Sequence, residues 1–470
     1  MSKNLKILLM QPTYYQDAQK TDVYNIVPPL SLAYLAAIAK KSGHSVKIFD
    51  VMGREKKIND ILNKFNPDII GITCLTTYYP EFYKLVNFIK KELNYKGLII
   101  CGGPHITLEP EKTIKQTEAD IAVIGEAEES FKELLLEIAN NGDYTKVSGL
   151  YIKNFGYTKR RTNYTNLDEI LIPAYEELEL DKYVTNTVFV ECSRGCPYNC
   201  IYCSSKFLYG NLLRWQKPEK VIEIIKLLKE KFNYKEFSPL ADTFVCNIKW
   251  LEKFVKLLDE NKINMPFRCN GRINLMNDKV FELLKKAGCY EIDYGIESAD
   301  ERILKNMNKA IKEEDLEKVI KMTYEYGFKT HLYFMLSLPG ETEKDMDKTI
   351  NFSKEMKEKY NCTTEFQITR IYPGTPLAEK TKLEIDDWSI EREPELPYPN
   401  VPAYYEIDKK IVYSKWRLAC ENIRDTSLIE SLKVIPDLYK TSRNKKLFFY
   451  QLFKRGVRKI NNTIFRKTIK

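Results

Sequence analysis

Thr187-Val-Phe-Val-Glu191 runs directly into Cys192-Ser-Arg-Gly-Cys196-Pro-Tyr-Asn-Cys200-Ile-Tyr-Cys203. The first five residues, β-branched and aromatic, read as a short strand. It opens a series whose further strands lie near 235–239, 266–269, 290–294, 329–335 and 364–369, with helical patterns between them. Such alternation means parallel strands covered by helices. Six βα repeats do not close an ordinary eight-unit barrel, so the expected architecture is a partial (βα)6 TIM-like barrel, open on one side. The cysteine loop follows the first strand and therefore sits at the C-terminal face, where reacting groups gather.

Cys196, Cys200 and Cys203 form C-x3-C-x2-C. Thiolates are soft ligands, and three on one loop can hold three irons of a [4Fe–4S] cluster, leaving the fourth open for chemistry. A structural zinc site completed by Cys192 is the alternative. Zinc sites usually pair C-x2-C twice across a long separation, and this loop has one such pair. Cys192 reads as a strand-end residue, and Cys74, Cys101, Cys246, Cys269, Cys289, Cys362 and Cys420 as buried small hydrophobes.

Upstream, candidate strands at 6–10, 45–50, 68–73, 97–101 and 120–124 alternate with helices near 29–41, 58–65, 80–93, 110–118 and 128–140. Five strands fit a flavodoxin-like doubly wound sheet, whose ligands sit beyond the carboxyl ends of its strands. The loops there are 11–28, 74–79, 102–107 and 125–129. The third, Gly102-Gly103-Pro104-His105-Ile-Thr107, has two glycines that permit close backbone approach to a bulky ligand. Residues 145–185 break the rhythm and read as a hairpin and linker. Beyond Ile371 the alternation fades, and Pro-rich 391–402 gives way to helical patterns after Asp408.

A chain of 470 residues is long for one core and implies two or three domains. Apolar residues at 44% and charged residues at 30% exclude disordered and fibrous classes. No stretch approaches the roughly 18 apolar residues of a spanning helix, and the start lacks the pattern of a secretory signal. Eleven scattered cysteines, an odd number, suit a reducing compartment, so a cytoplasmic chain is expected. The formal charge of +9 is concentrated in Thr441 to Lys470, which holds ten Lys and Arg and no Asp or Glu; without it the charge falls to −1. Nothing in the body asks for a nucleic-acid groove.

The loop Cys196 to Cys203, with Tyr202 before its last cysteine, resembles the signature of the radical S-adenosylmethionine (SAM) superfamily. Pro28-Pro-Leu-Ser-Leu-Ala-Tyr-Leu-Ala-Ala, Gly43-His44, Pro67-Asp-Ile-Ile-Gly-Ile-Thr73, Gly102-Gly-Pro-His-Ile-Thr107 and Gly125-Glu126 resemble the cobalamin-binding domain of its cobalamin-dependent members. Ala241-Asp242-Thr243-Phe244, Gly295-Ile-Glu-Ser298 and Leu338-Pro-Gly-Glu-Thr342 extend the likeness to about residue 380, in the family's order. Two departures stand out: Ser337 where relatives commonly carry glycine, and Ala127 rather than glycine after Gly125-Glu126. The resemblance divides the chain into a cobalamin-binding Rossmann-like domain at 1–144, a hairpin and linker at 145–185, a radical SAM partial barrel at 186–375 and a mostly helical region with a basic tail at 376–470.

The resemblance implies reductive cleavage of SAM at the cluster's open iron to a 5′-deoxyadenosyl radical, which removes hydrogen from unactivated carbon. Tyr202 would lie near adenine, Asp242 and Arg272 near the amino-acid moiety, and Glu297 and Ser298 near ribose or carboxylate. Glu297 has an equally simple reading as the partner of a barrel Lys or Arg. Cobalamin would lie between the domains against Thr73, Thr76, Thr77, Gly102, Gly103, Pro104, His105, Gly125 and Glu126. Neither His44 nor His331 reads as a ligand, and no histidine is expected below the cobalt.

The leading reading is a cobalamin-dependent methyltransferase acting on a small-molecule or lipid-like substrate, served by an external electron donor of flavodoxin or ferredoxin type. A radical SAM oxidase or cyclase with a vestigial cobalamin domain, a non-catalytic corrinoid or iron–sulfur sensor and an RNA methylthiotransferase are the competitors. The last lacks support, because only Cys74 and Cys101 precede residue 192. In the tail, Phe449, Phe453, Val457, Ile460 and Ile464 recur at helical spacing with Lys454, Arg455, Arg458 and Lys459 between them. That pattern fits peripheral contact with an anionic membrane surface, or a helix docked on the body with a solvated basic face.

Overall fold

The structure, a computed structural model, describes residues 3–12, 28–51, 54–183, 187–210 and 212–424. The basic stretch 447–465 lies outside the described residues. Strands β1 (Lys6–Gln11), β2 (Ser45–Asp50), β3 (Ile69–Thr73), β4 (Leu98–Gly102) and β5 (Ile121–Val123) lie within one residue of their expected bounds. They pair in parallel in the order β2-β1-β3-β4-β5, the flavodoxin-like arrangement. Ile7, Leu8, Leu9 and Met10 are all buried because both faces are covered, which is why β1 is an unbroken apolar run. Helices Leu30–Lys41 and Ala127–Ala139 pack on the face of Ile7 and Leu9; Ile58–Phe65, Tyr79–Asn87 and Pro110–Gln116 pack on that of Leu8 and Met10. The hairpin expected in 145–185 is β6 (Leu150–Ile152) and β7 (Gly156–Tyr157), which join β5 antiparallel and widen the sheet to seven strands.

The second sheet begins with β8 (Thr187–Glu191). Two short strands, β9 (Ser193–Arg194) and β10 (Arg214–Trp215), then pair antiparallel across the cysteine loop. With two residues each, they carry no periodicity that a sequence could reveal. The barrel continues through β11 (Glu236–Leu240), β12 (Phe267–Gly271), β13 (Cys289–Glu297), β14 (Lys329–Leu336) and β15 (Thr363–Ile368), all parallel to β8. The order is β8-β11-β12-β13-β14-β15, and the terminal strands β8 and β15 do not meet. The barrel is therefore open on one side, as expected.

In the C-terminal region, helices Pro376–Thr381 and Lys409–Arg424 flank a non-helical run. That run touches both domains: Asn400 Nδ2 donates to Thr76 O of the first (2.7 Å), and Tyr404 N to Thr369 O just beyond the last barrel strand (2.9 Å). Among the described residues of this region the run without helix coincides with the prolines at 394, 397, 399 and 402, and helix resumes after Asp408. No helix among the described residues is long and apolar enough to cross a membrane.

The outer face of β11 and β12 is an aromatic cluster. Phe237 stacks on Phe267 with ring centroids 4.9 Å apart, and Phe254 stacks on Trp250 at 5.1 Å with its edge toward Phe244. Phe254→Ala should cost about 3–5 kcal/mol of stability, measured by chemical denaturation followed by tryptophan fluorescence.

Candidate active site

The cysteine loop is fixed from several sides. Cys192 N donates to Leu240 O (3.0 Å), and the fully buried Cys192 thiol contacts Val190 O, so it is a strand-end residue as expected. At Gly195 φ is +88°, and a Cβ would lie 2.4 Å from Leu212 O, so the turn admits only glycine. Ile201 N donates to Met307 O, Leu377 N to Ile201 O, and Asn308 Nδ2 to Asn199 O. Cys196, Cys200 and Cys203 are half-buried free thiols, with Cys196 Sγ 4.0 Å from Thr243 Oγ1. Burial pushes the Cys203 thiol up to about 11 and raises Cys196, and each feels Asp242 and Cys200. Among the described residues, no three Cys, His, Asp or Glu side chains converge closely enough to hold one metal ion. Ligands that each take a separate corner of an iron–sulfur cube need no such convergence, so three neighbouring soft donors on an anchored loop fit the cluster.

Around this loop the structure gathers four of the five residues expected near SAM. Tyr202 Oη donates to Glu297 Oε1 (3.1 Å), which also accepts from Lys309 Nζ (2.6 Å). Glu297 is thus the partner of a barrel lysine, itself almost fully buried and bonded to Gly295 O. The Glu297 backbone has φ +65°, a strained value for a non-glycine residue. The Arg272 guanidinium lies 3.6 Å from the Tyr198 ring centroid and donates to Lys309 O; its buried Nε has no partner. Asp242 accepts from Ser205 Oγ, and burial raises its pKa. Ser298 departs from expectation. Its fully buried hydroxyl meets Thr349 Oγ1 (3.3 Å) and accepts from Asp300 N (3.2 Å), organising the start of the next helix. Lys309 and Tyr198 had no sequence signal, since their roles depend on tertiary contact alone.

A cavity of about 1020 Å³ lies between the sheet and the barrel. Its sheet side includes Gly71, Thr73, Gly102, Gly103, Pro104 and Gly125, and its barrel side Phe189, Leu240, Glu365 and Gln367. At Gly103 φ is +103°, and a Cβ would meet Cys74 O and Thr73 Oγ1 at 2.9 Å. Thr107 Oγ1 bridges the two glycine loops, donating to Gly103 O and accepting from Gly125 N. The volume is at the upper end for small-molecule pockets, and a wall of glycines suits a broad flat ligand, so the residues fit a corrin.

Three of the expected cobalamin contacts lie outside the cavity lining, and a fourth, Glu126, reaches it with its carboxylate already engaged. Thr76 and His105 lie behind the wall, with Thr76 Oγ1 3.1 Å from His105 Nδ1 and neither residue lining the cavity. His105 is fully buried between Tyr79 and Trp388, and burial drives its pKa down to about 3. Thr77 is also absent from the lining. Glu126 reaches the cavity, but its carboxylate accepts from Arg214 and from Thr165 N and pairs with Arg194 (3.6 Å). Burial would raise its pKa, yet Arg214 and Arg194 hold it below the usual value. Arg194 further pairs with Glu128 (2.6 Å) and Glu191 (2.8 Å), joining sheet to barrel through a buried network. His44 Nδ1 accepts from Leu5 N (3.4 Å), and His331 lies in β14, so both have structural partners or positions as expected.

A Cβ at Gly102 would meet no protein atom closer than 3.9 Å, and the residue faces the cavity, into which a longer side chain would extend. Gly102→Leu should therefore leave the melting temperature nearly unchanged while sharply reducing the corrinoid retained, read from the absorption spectrum of anaerobically purified protein. Arg194→Met should destabilise the protein by about 3–5 kcal/mol, because it strands buried carboxylates; thermal unfolding measures this.

Comparison with known proteins agrees with this geometry. Residues 19–135 match the B12 binding domain and residues 190–353 the Radical SAM superfamily. An uncharacterized methyltransferase of Pyrococcus horikoshii is 35% identical over 387 residues, covering 80% of this chain and 83% of that protein. The anaerobic magnesium-protoporphyrin IX monomethyl ester cyclase of Rubrivivax gelatinosus is 25% identical over 372 residues, 75% of this chain and 66% of its own. TsrM of Kitasatospora setae, a radical SAM methyltransferase solved with cobalamin and a [4Fe–4S] cluster, shares the fold with a TM-score of 0.69 at 15% identity, across 90% of this chain and 88% of its own. Two domain families in this order, with a relative similar along four-fifths of the sequence, show that the chain belongs to the cobalamin-dependent radical SAM methyltransferase family, enzymes of a [4Fe–4S] cluster, SAM and cobalamin.

Proposed function

We propose that the enzyme methylates an unactivated carbon of a small molecule held in the cavity between the sheet and the barrel. The observation that carries this reading is that one cavity is walled jointly by the sheet's glycine loops and by the barrel's inner strands. When bound, the cluster with SAM supplies hydrogen abstraction from carbon, and cobalamin supplies the methyl group.

The chain's own residues position and enclose. Cys196, Cys200 and Cys203 hold the cluster, while Tyr202, Asp242, Arg272 and Glu297 surround SAM, with Lys309 keeping Glu297 in place. Thr73, Gly102, Gly103, Pro104 and Gly125 form the corrin wall. Thr76 and His105 support that wall from behind, and Glu126 locks the domain boundary. An electron donor of flavodoxin or ferredoxin type would approach the half-buried cysteine loop. The basic tail would supply any contact with an anionic membrane surface.

Oxidative cyclisation is the second reading, favoured by the cyclase relative. Anaerobically reconstituted protein with SAM, reductant and substrate should form 5′-deoxyadenosine and S-adenosylhomocysteine in equal amounts; 5′-deoxyadenosine alone would indicate oxidation. Alanine at Cys196, Cys200 or Cys203 should remove iron and sulfide together with both products, measured by metal analysis and chromatography.

A further inference from the structure

The inner face of the open barrel carries charged side chains that the cysteine loop and the glycine wall do not use. Along each strand one set of side chains, including Phe237, Phe267, Ile292, Leu332 and Phe366, is buried in the outer core. The alternate set faces inward. It brings four carboxylates, Glu236, Glu291, Asp293 and Glu365, against two cations, Arg268 and Lys329. Glu191 and Glu297 face the same way but are matched by Arg194 and Lys309. The remaining face is short of positive charge.

Its internal contacts leave acceptors unused. Glu236 accepts from Tyr290 Oη (2.5 Å), and Arg268 reaches Glu291 at 3.8 Å. Asp293 is only 6% exposed, its Oδ1 accepts no hydrogen bond from an N–H or hydroxyl donor, and its carboxyl lies within hydrogen-bonding reach of that of Glu291. Burial, with Glu291 adding to it, raises its pKa to about 7 although Arg268 pulls the other way. Next to it on β14, His331 Nε2 also lacks a hydrogen bond and lies 3.9 Å from Glu365 Oε2. Glu365, whose Oε1 accepts from Gln367 Nε2 (2.6 Å), lines the large cavity together with Gln367 and so marks where the acidic face meets the space of the proposed reaction.

We propose that this face binds the substrate through an organic cation, an amine or guanidine, with Asp293 and Glu365 as its anionic partners. A metal ion is a poorer occupant, since no three ligands converge among the described residues. An alkyl chain is poorer still, because it would bury Asp293 without a partner. A donor-rich cation satisfies the free oxygen and offsets the carboxylate excess. The inference rests on the methyltransferase reading and replaces a lipid-like substrate with a polar one.

The test uses reconstituted holoenzyme with agmatine and cadaverine as cations, and 1-pentanol and hexanoate as neutral and anionic probes of similar length, in anaerobic calorimetry. At least one cation should bind about tenfold more tightly than pentanol or hexanoate, and Asp293→Asn with Glu365→Gln should remove that preference. If the double variant fails to fold, Glu365→Gln alone decides, since Glu365 is 45% exposed at its side chain. Cations that bind no better than pentanol, tighter binding of hexanoate, or a variant equal to the parent would overturn the proposal. Formation of 5′-deoxyadenosine by the parent holoenzyme is measured separately. Its absence counts against the radical chemistry, whereas its presence without cation preference counts against the substrate class alone.

Discussion

Arg194 connects the parts on which the chemistry depends. It belongs to the short hairpin beside the cysteine loop, and it ion-pairs with Glu126 and Glu128 of the sheet domain and Glu191 of the barrel. Buried charges are tolerated only when matched, so the two sheets have little freedom to drift apart without exposing unpaired carboxylates to an apolar setting. Arg214 doubles the lock by holding Glu126 from the opposite strand of that hairpin. The width of the cavity is therefore set by ion pairing at its rim as much as by the packing of either domain.

Most of the scaffold was legible in the sequence because its signals are local. Parallel strands buried on both faces appear as apolar runs such as Ile7 to Met10, and amphipathic helices show their period within two turns. The cysteine spacing likewise lies within one loop. What escaped detection depends on residues far apart in the chain. Glu126 follows a glycine in a binding loop and looks like a cofactor contact until Arg214 is seen beside it. His105 stands in a loop that approaches ligand, yet its ring turns away into Tyr79 and Trp388, the latter 283 positions further along. The hydroxyl of Ser298 is spent on a helix start, and Lys309 gains its role only by meeting Glu297. The charge imbalance inside the barrel is equally hidden, because it is the sum of single residues on separate strands.

The C-terminal run shows the same difference between composition and placement. Its prolines predict an irregular connection, but Pro397 and Tyr398 line the cavity and Asn400 bonds the loop that holds His105 from behind. A segment resembling a linker thus completes the enclosure and braces one of its walls. Its contacts reach both domains, so a change there would be felt at the site without touching either cofactor-binding loop.

Ser337 illustrates how this bracing is maintained. Its backbone φ of +65° lies in the left-handed region, which accounts for the glycine expected at this point before Leu338-Pro-Gly-Glu. Serine carries a backbone penalty of about 1–3 kcal/mol there, but its hydroxyl donates to Tyr404 O in the returning run. Glycine would relax the strand end and give up that tether. Local discomfort at the barrel rim is accordingly the counterpart of a fastened enclosure, and a more comfortable backbone would leave the cavity's third wall held by one stitch fewer.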